Sequence, residues 1–485
     1  MNQNFRGWLG SLFVLALCSV FTQCANIVPP GGGSRDTLPP RLLHVAPKDS
    51  SLNFNAQRIV FQFNEYVELD NVIEKLIVSP TLKRTPTITA KLRTITMVVK
   101  DSLQPNTTYT FNFGDAVKDV NERNPIEDFQ YVVSTGNYLD SLQITGKLLV
   151  AETGKPDSNV AVMLYSSMED SVVSKEKPLY LAKTRGDGSY RFKNLKPGTY
   201  RIFALKEEDK DFQYTQRTEM IAFADSALHL DGNMEEVNMA LFKEIDTVRH
   251  QEDEELPAEP PAPTPGKKAP KPRLQVTAGL NGGQQELGDS LTLSFNFPIR
   301  RLDSANIQLL EDTLRRRVPF TLHMADTTAK TFKMVYNWKP GMPYELILPK
   351  GFAADTSGLE TAKADTVTFT AKSLDDYGTI KIALSVGDSA HLVLPKDTGY
   401  QFVVQLVSSK EVKYSGVINK DWKWERGLIQ PGEYEIRVLV DENRNGRWDT
   451  GVYYGTPKKQ PEKVFAYKES INIKKNWTVP TTVKL

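Results

Sequence analysis

A long internal repeat is the sequence feature that most constrains how this chain can fold. The segment Leu195–Ile202 (LKPGTYRI) returns as Ile429–Ile436 (IQPGEYEI), an offset of 234 residues. Two earlier pairs of segments match at offsets of 232 and 235, namely Ile59–Asn64 with Leu291–Asn296 and Leu103–Tyr109 with Trp338–Tyr344. Repeats at a nearly constant offset indicate that one structural unit occurs twice. The sequence therefore predicts two copies of a two-domain unit.

Short strands make up most of each copy. Val, Ile, Thr and aromatic residues alternate with polar ones in four segments of the first copy, which are Arg58–Asn64, Thr94–Val99, Tyr109–Phe113 and Phe129–Ser134. Alternation with a period of two is typical of strands that bury one face, and turn formers such as Gln-Pro-Asn and Lys-Pro-Gly separate them. Long amphipathic helical patterns are scarce. The predicted fold class is all-β, with tandem β-sandwiches.

Charge and cysteine content exclude several classes of function. The 485 residues carry 60 basic and 59 acidic side chains, so no excess positive charge favours nucleic acid as a partner. The only cysteines are Cys18 and Cys24, which leaves the folded part without disulfides, thiolate nucleophiles or cysteine metal sites. Five scattered histidines and the absence of a GxSxG elbow, a phosphate loop or a dinucleotide fingerprint predict no catalytic residues and no enzyme activity.

The N-terminus predicts export. The apolar run from Trp8 to Phe21 is shorter than the ~20 residues of a membrane span and suits a signal-peptide core, which places a signal peptide at residues 1–23. Cys24 then resembles a bacterial lipoprotein cysteine, which is lipidated after cleavage, although Gln23 replaces the small residue usual before it. A plain signal peptide with an incidental cysteine is the alternative. Residues 24–39, rich in Gly and Pro, are predicted to form a tether.

Two family resemblances refine the fold. The phrases Val45–Pro47, FQFNEYVELDN (61–71) and LQPNTTYTFNFGDAVKDVNERN (103–124) resemble the bacterial Ig-like domain of cell-surface and S-layer-type proteins. Asp187–Phe192 and Leu195–Tyr200 are similar to the transthyretin-like, carboxypeptidase-regulatory-like β-sandwich. As a whole, the chain resembles an Ig-like-domain lipoprotein family of the Bacteroidetes type. This resemblance implies the cell outer membrane as location, lipid-anchored, with the leaflet left open.

The predicted domains follow from the repeat and these resemblances. An acidic and Pro-rich stretch between the two copies, with seven prolines from Pro257 to Pro272, is predicted to be a semi-rigid linker. The folded domains and the linker are an Ig-like domain at 40–136, a transthyretin-like sandwich at 137–243, the linker at 244–273, a divergent Ig-like domain at 274–372 and a second transthyretin-like sandwich at 373–485.

One loop has the oxygen spacing of a calcium site. With Asp441 counted as position one, the loop offers oxygen ligands at Asp441, Asn443, Asn445, Arg447 (through its backbone carbonyl) and Asp449. Gly446, at position six, permits the sharp turn that such a loop needs. Val452 stands where a bidentate Glu is expected, so an ion would bind weakly unless another segment supplies oxygen. A metal-free turn, in which Asp and Asn cap their own backbone, is the other interpretation. In the first copy, Glu207, Asp209 and Asp211 occupy the equivalent positions.

Aromatic residues near the C-terminus raise the question of binding. Trp448, Tyr453 and Tyr454 could stack on sugar rings or fill a protein interface, although core packing is the alternative. The favoured prediction is a non-enzymatic cell-envelope lipoprotein that serves as a β-sandwich spacer, scaffold or interaction protein. Its partners would be the membrane, through the lipid, and an envelope protein or glycan. The alternative is an accessory carbohydrate- or protein-binding lipoprotein with a structural calcium; no other cofactor is predicted.

Overall fold

The computed structural model describes residues 35–209, 211–244, 273–385 and 399–484. The predicted signal peptide, Cys24, residues 24–34 of the tether and residues 245–272 of the linker lie outside the described residues. Strands account for 49% of the structure and helices for 3%, so the predicted all-β class is confirmed. None of the helices in the described part of the chain has the length and apolar character needed to cross a bilayer.

Within the described residues, each sheet takes its strands from one of four stretches of chain, here called modules 1 to 4. Module 1 contains the strands β1 (Leu42–Ala46), β2 (Arg58–Phe63), β3 (Val67–Leu69), β4 (Ile77–Ser79), β5 (Thr87–Lys91), β6 (Thr94–Val98), β7 (Thr108–Gly114), β8 (Val117–Asp119) and β9 (Phe129–Ser134), with the short helix α1 (Val72–Lys75). The sheets β1-β2-β6-β5 and β4-β7-β9, with the pair β3-β8, enclose its core. Alternation places Ile59, Phe61 and Phe63 of β2 on the buried face.

Module 2 follows with one extended sheet. Its elements are β10 (Leu142–Val150), β11 (Lys155–Pro156), β12 (Ala161–Tyr165), the helix α2 (Val172–Lys175), β13 (Tyr180–Lys183), β14 (Ser189–Leu195), β15 (Gly198–Lys206), β16 (Met220–Phe223), β17 (Leu228–Leu230) and β18 (Met239–Lys243). The main order is β11-β10-β18-β16-β15-β12-β13, with β14 paired to β10 and β17 to β15. All five residues of β12 are buried, which explains their unbroken apolar run, AVMLY.

Module 3 contains β19 (Val276–Ala278), β20 (Gln284–Gln285), β21 (Leu291–Phe295), β22 (Ile299–Leu302), β23 (Gln308–Glu311), β24 (Arg316–Val318), β25 (Thr321–Met324), β26 (Thr331–Val335), β27 (Pro343–Leu348), β28 (Ala353–Asp355) and β29 (Asp365–Ala371). Its sheets are β19-β21-β26-β25 and β20-β29-β27-β23-β24, with the pair β22-β28. Module 4 contains a 3₁₀ turn (Leu374–Asp376) and the strands β30 (Gly378–Ser385), β31 (Gln401–Ser408), β32 (Glu411–Val417), β33 (Lys423–Ile429), β34 (Gly432–Asp441), β35 (Val464–Ile473) and β36 (Thr478–Lys484). They form the sheets β33-β30-β36 and β32-β31-β34-β35.

Matching hydrogen bonds show the repeat between modules 1 and 3. The Tyr109 hydroxyl accepts a hydrogen bond from the backbone N–H of Gln104 at 2.9 Å, and the Tyr344 hydroxyl accepts one from Lys339 at 3.0 Å. Both bonds tie a buried strand tyrosine to the turn five residues upstream, as in the tyrosine corner of Ig-type sandwiches. The phrase that ends in each tyrosine therefore has one structural role in both modules.

Modules 2 and 4 repeat a strand, turn and strand. In module 2, β14 and β15 are joined through Lys196 and Pro197, and in module 4, β33 and β34 are joined through Gln430 and Pro431. The starts of both strands correspond at the offset of 234 residues found in the sequence. The two modules also share a parallel pair, β10 with β18 and β30 with β36.

The described chain forms two compact units. Unit 1 extends to Leu142 and includes Asn194–Lys196. Unit 2 comprises Gln143–Lys193 and the chain from Pro197 onward, so modules 2, 3 and 4 belong to one compact body. Contacts between module 2 and module 4 are therefore internal to unit 2.

Candidate functional site

The site is built around the loop between β34 and β35, residues 442–463, here called the docking loop. Asp441 ends β34 and is fully buried. Its carboxylate accepts hydrogen bonds from the backbone N–H groups of Asn445 (3.2 Å) and Gly446 (2.7 Å) and from the side-chain amide of Gln401 (2.8 Å). Gly446 has φ +77°, a left-handed conformation that suits glycine. Asp441 therefore fixes the first turn of the loop.

The remaining oxygens of the predicted calcium site are used in the same turn. Asn443 Oδ1 accepts from the N–H of Asn445 (3.0 Å), and Asn445 Oδ1 accepts from the N–H of Arg447 (2.7 Å). The side-chain amides of Asn443 and Asn445 both donate to Asp449 Oδ2. This hydrogen bonding accounts for the Asp and Asn spacing without an ion, as the turn interpretation requires. Calcium binding by residues 441–449 stays a prediction.

Glu462 closes the base of the docking loop from the other end. Its carboxylate is buried and accepts hydrogen bonds from the N–H groups of Glu442 (2.8 Å) and Asp449 (3.0 Å). Burial is the main reason why the pKa of Glu462 is raised, and the neighbouring Asp449 and Asp441 carboxylates raise it further. The calcium-like pattern does not include Glu462, because this residue lies 13 positions beyond Asp449, the last oxygen ligand of the pattern. Its place two residues before the strand β35 was the available signal.

The tip of the docking loop enters the core of module 2. Tyr453 is 2% exposed and packs with residues of β15 and β16. Its ring centroid lies 5.8 Å from that of Phe203, 5.3 Å from Phe223 and 6.0 Å from Tyr214. Its hydroxyl donates a hydrogen bond to the backbone carbonyl of Asp170. Tyr453 is therefore a core residue of a module that ends some 200 residues before it in the sequence.

Glu244, at the end of β18, holds the backbone of the inserted tip. One carboxylate oxygen accepts hydrogen bonds from the N–H groups of Tyr453 (2.6 Å) and Tyr454 (3.1 Å), and the other accepts from the Tyr214 hydroxyl (2.8 Å). Tyr454 stacks on Tyr214 with the ring planes 11° apart. A buried carboxylate with three donors is well satisfied, so Glu244 acts as a fixed receptor for the loop.

A cation reinforces this contact. The Lys458 ammonium lies 4.0 Å from the centroid of the Tyr453 ring and 3.2 Å from the Asp170 carboxylate, which Arg201 also contacts at 2.5 Å. Burial lowers the pKa of Lys458, whereas hydrogen bonds from Arg201 and Lys458 lower the pKa of Asp170. Lys458 thus bridges the aromatic tip and an acidic residue of module 2.

Close backbone packing completes the interface. A side chain at Gly451 would place its Cβ 2.6 Å from Cζ of Phe242, so only glycine fits there. At a second contact, Gly154 packs against the backbone of Val464, and Lys155 forms a salt bridge with Glu435 at 2.6 Å. Modules 2 and 4 are therefore joined by two contacts, the inserted tip of the docking loop and the turn at Gly154 and Lys155.

The three aromatic residues predicted to bind a partner have different positions. Tyr453 is buried and has no surface to offer a soluble ligand, whereas Tyr454 is 44% exposed. Trp448 is half-buried and donates its indole N–H to the Glu462 carbonyl at 2.9 Å. The three residues therefore do not form one exposed platform, because the chain itself covers Tyr453. Binding by Trp448 and Tyr454 stays a prediction.

Sequence comparison identifies one module by family. Residues 36–135 match the model of the bacterial Ig-like domain. This bacterial Ig-like domain coincides with module 1 and covers about a fifth of the chain. Its match agrees with the resemblance seen in the phrases around Phe61 and Tyr109. No curated protein has a sequence that matches the chain.

Solved structures give weaker likenesses. The Bacillus anthracis TIE protein aligns at 11% identity over 94% of this chain and 76% of its own, with a TM-score of 0.16. BcpA, the major pilin subunit of Bacillus cereus, aligns at 12% identity over 72% of this chain and 99% of its own, with a TM-score of 0.16. The N-terminal part of the bacterial S-layer protein SbsC aligns at 13% identity over 43% of this chain and 45% of its own, with a TM-score of 0.15. At such TM-scores, nothing about the function of this chain follows from these proteins.

Proposed function

We propose that the chain is a non-enzymatic lipoprotein of the bacterial cell envelope that serves as a β-sandwich spacer, scaffold or interaction protein. It would be held at the outer membrane by lipid on Cys24. The observation that carries the proposal is the insertion of Tyr453 into module 2. This contact couples two modules that are separated in sequence by a third, which suits a protein that must keep a fixed geometry.

The energetics of the contact favour such a role. Moving modules 2 and 4 apart would expose Tyr453 and the aromatic residues around it, and would leave the Glu244 carboxylate without its backbone donors. Exposure of a buried aromatic side chain costs about 1.5–3 kcal/mol, and loss of a hydrogen bond to a charged group adds about 1.5–3 kcal/mol. Movement of module 2 relative to module 4 at this contact therefore costs free energy, so unit 2 should transmit force as one body.

The carboxylates of the site also suit a structural role. Asp441, Glu244 and Glu462 each accept at least two hydrogen bonds from backbone N–H groups. A general acid or base needs an oxygen directed at a substrate, whereas these groups are committed to holding the docking loop. These carboxylates therefore stabilise the contact between modules 2 and 4, which is here called the joint.

The alternative, an accessory carbohydrate- or protein-binding lipoprotein, has less support. Its aromatic surface would be reduced to Tyr454 and the exposed part of Trp448, because Tyr453 is enclosed. One face of the Tyr454 ring is already stacked on Tyr214. A structural calcium at residues 441–449 would belong to this alternative.

Lipidation is tested by mass spectrometry of the N-terminus from native envelopes. A diacylated Cys24 at the new N-terminus is expected, and Cys24→Ala should release the protein from the membrane fraction. Cys18→Ala is the matched control and should leave the protein in that fraction. An unmodified N-terminus beyond residue 24 would remove the anchor from the proposal.

The scaffold role is tested by cross-linking in intact envelopes. Tyr453→Ala should change the cross-links between modules 2 and 4 and the set of captured neighbours, because it loosens the joint. Tyr454→Ala removes the ring stacked on Tyr214 but keeps the insertion of Tyr453, so it should change both less than Tyr453→Ala does. If Tyr454→Ala instead abolishes capture of a glycan or protein while the chain stays folded, the binding alternative replaces the scaffold.

A further inference from the structure

A group of three carboxylates lies at the end of β15 in module 2, away from the docking loop's own turn. Glu207 follows β15, Asp209 lies in the connecting loop, and Glu219 precedes β16. One carboxylate oxygen from each side chain lies within 4.8 Å of the other two. Among the residues that the structure describes, this is the group of acidic side chains that comes together closely enough to share one ion.

Two of these carboxylates have a buried oxygen with no hydrogen-bond partner. Glu219 is fully buried, and its Oε2 receives no donor. Glu207 Oε1 is likewise buried and unpaired. The second oxygen of Glu219 accepts a hydrogen bond from the backbone N–H of Glu208 at 3.3 Å. The second oxygen of Glu207 accepts one from the backbone N–H of Phe212 at 3.1 Å. A buried carboxylate without a partner is strongly unfavourable, so the arrangement calls for a positive charge at its centre.

The electrostatics agree with the geometry. Burial, together with the nearby carboxylates of Glu219, Asp211 and Asp209, raises the pKa of Glu207 to about 7. Burial also raises the pKa of Glu219, with further contributions from Asp209 and Asp211. Like charges held together in a buried place disfavour their ionised forms unless a cation is bound.

We propose that Glu207, Asp209 and Glu219 bind a divalent cation, and that calcium is the preferred ion. The ligands are all carboxylate oxygens, which select hard cations and not zinc or copper. The described residues of the loop between β15 and β16 form neither helix nor strand. Calcium accepts irregular coordination and completes its shell with backbone carbonyls and water, whereas magnesium requires a near-ideal octahedron.

The equivalent place in module 4 shows why the first copy is the better site. Asp441 corresponds to Glu207, but its carboxylate is satisfied by the N–H groups of Asn445 and Gly446 and by Gln401. Glu462 occupies a place similar to that of Glu219, since Glu219 is one residue and Glu462 two residues before the returning strand, and both Glu462 oxygens accept backbone donors. In module 4, backbone N–H groups therefore compensate the charge of the buried carboxylates, and in module 2 a cation would have this role.

The cation would also stabilise the face that receives the docking loop. The loop of residues 207–219 carries Tyr214, which stacks on Tyr454 and donates to Glu244. An ion that ties both ends of this loop together would hold Tyr214 in place and so stabilise the joint. The site goes beyond the proposed envelope role, and its existence does not depend on that role.

The experiment combines calorimetry and thermal unfolding of the full chain, first freed of metal with EDTA and then titrated with CaCl₂. Wild type should release or absorb heat with one saturable site and gain several degrees in its unfolding temperature. Glu219→Gln should weaken binding about tenfold or more, because it removes a charged ligand. Asp209→Asn, on the exposed side of the group, should weaken it as well without disturbing the core. Asp441→Asn distinguishes this site from the loop of residues 441–449: it should leave the calcium affinity unchanged in calorimetry, although it should lower the unfolding temperature by weakening the bonds to Asn445 and Gly446.

Glu219→Gln should also stabilise the metal-free protein, and this effect distinguishes loss of calcium binding from misfolding. In EDTA the variant should unfold at a higher temperature than wild type, because it lacks a buried charge, and in excess CaCl₂ it should unfold at a lower one. Absence of both heat and stabilisation in wild type at millimolar CaCl₂ would overturn the proposal. So would binding that Asp441→Asn abolishes and Glu219→Gln leaves intact. Tighter binding of MgCl₂ than of CaCl₂ would refute the choice of calcium.

Discussion

Replacement of Tyr453 by Ala should destabilise module 2, although Tyr453 belongs to module 4. The substitution removes a ring in contact with Phe203, Phe223 and Tyr214 and leaves a cavity among them. Large-to-small changes of a buried aromatic cost about 3–5 kcal/mol. Tyr453→Phe keeps the ring and loses only the bond to the Asp170 carbonyl, which costs about 1–3 kcal/mol. The alanine variant should therefore lose clearly more stability than the phenylalanine variant.

The measurement is urea unfolding of the full chain, with limited proteolysis as a local probe. Tyr453→Ala should lower the midpoint of the transition that includes module 2 and should open the docking loop to protease. Trp477→Ala is the control in module 4, because Trp477 is 60% exposed, and it should stay within about 0.5 kcal/mol of wild type. Equal midpoints for Tyr453→Ala and Trp477→Ala would refute the view that Tyr453 is part of the core of module 2.

Three further predictions concern single contacts. Gly451→Ala should cost about 1–3 kcal/mol in urea unfolding, because its Cβ would overlap Phe242, whereas Gly232→Ala, with no atom within 4 Å, should be neutral. Glu244→Gln should cost about 1.5–3 kcal/mol by weakening charge-assisted bonds to Tyr453 and Tyr454, and an effect no larger than that of Gly232→Ala would contradict this. Hydrogen bonds from Lys118 and Lys75 lower the pKa of Asp70 from 3.8 to about 2. Its stabilising contribution is therefore present above pH 3.8 and lost as the pH falls through about 2. In denaturant titrations, Asp70→Asn should be less stable than wild type at pH 7 and should approach it in stability as the pH falls below about 2. A difference independent of pH would exclude this ion pair as the cause.

Local patterns were sufficient to predict the strands β2, β6, β7 and β9 of module 1. Alternation over Arg58–Asn64 and Phe129–Ser134 corresponds to β2 and β9, and the repeated Pro-Gly turn corresponds to the junctions before β15 and β34. These features depend on residues close together in sequence, whose backbone geometry imposes a period of two. The Tyr109 and Tyr344 phrases were recognisable for the same reason, since each hydroxyl bonds to a residue five positions away.

Long-range packing was not predictable in the same way. An aromatic pair such as Tyr453 and Tyr454 has the same sequence pattern whether it faces solvent, a ligand or another module. Glu219 was missed because the loop after β15 is shorter than the docking loop, so the constant offset of the repeat no longer holds within it. Three carboxylates from one loop became a candidate cation site only when it was known that one oxygen of Glu207 and one of Glu219 are buried and receive no donor.

The position of Tyr453 also dictates an order of events during synthesis of the chain. Tyr453 and its receptor Glu244 are 209 residues apart along the chain, and module 2 emerges long before the docking loop. Until residue 453 arrives, the pocket around Phe203 and Phe223 remains open, and its closure requires a long chain loop to be drawn together. Exposed aromatic surface on an incomplete domain promotes aggregation, so a chain that stops short of the docking loop leaves an unfinished module as a target for chaperones and proteases. Module 2 can therefore complete its core only after the docking loop of module 4, with Tyr453, has been synthesised.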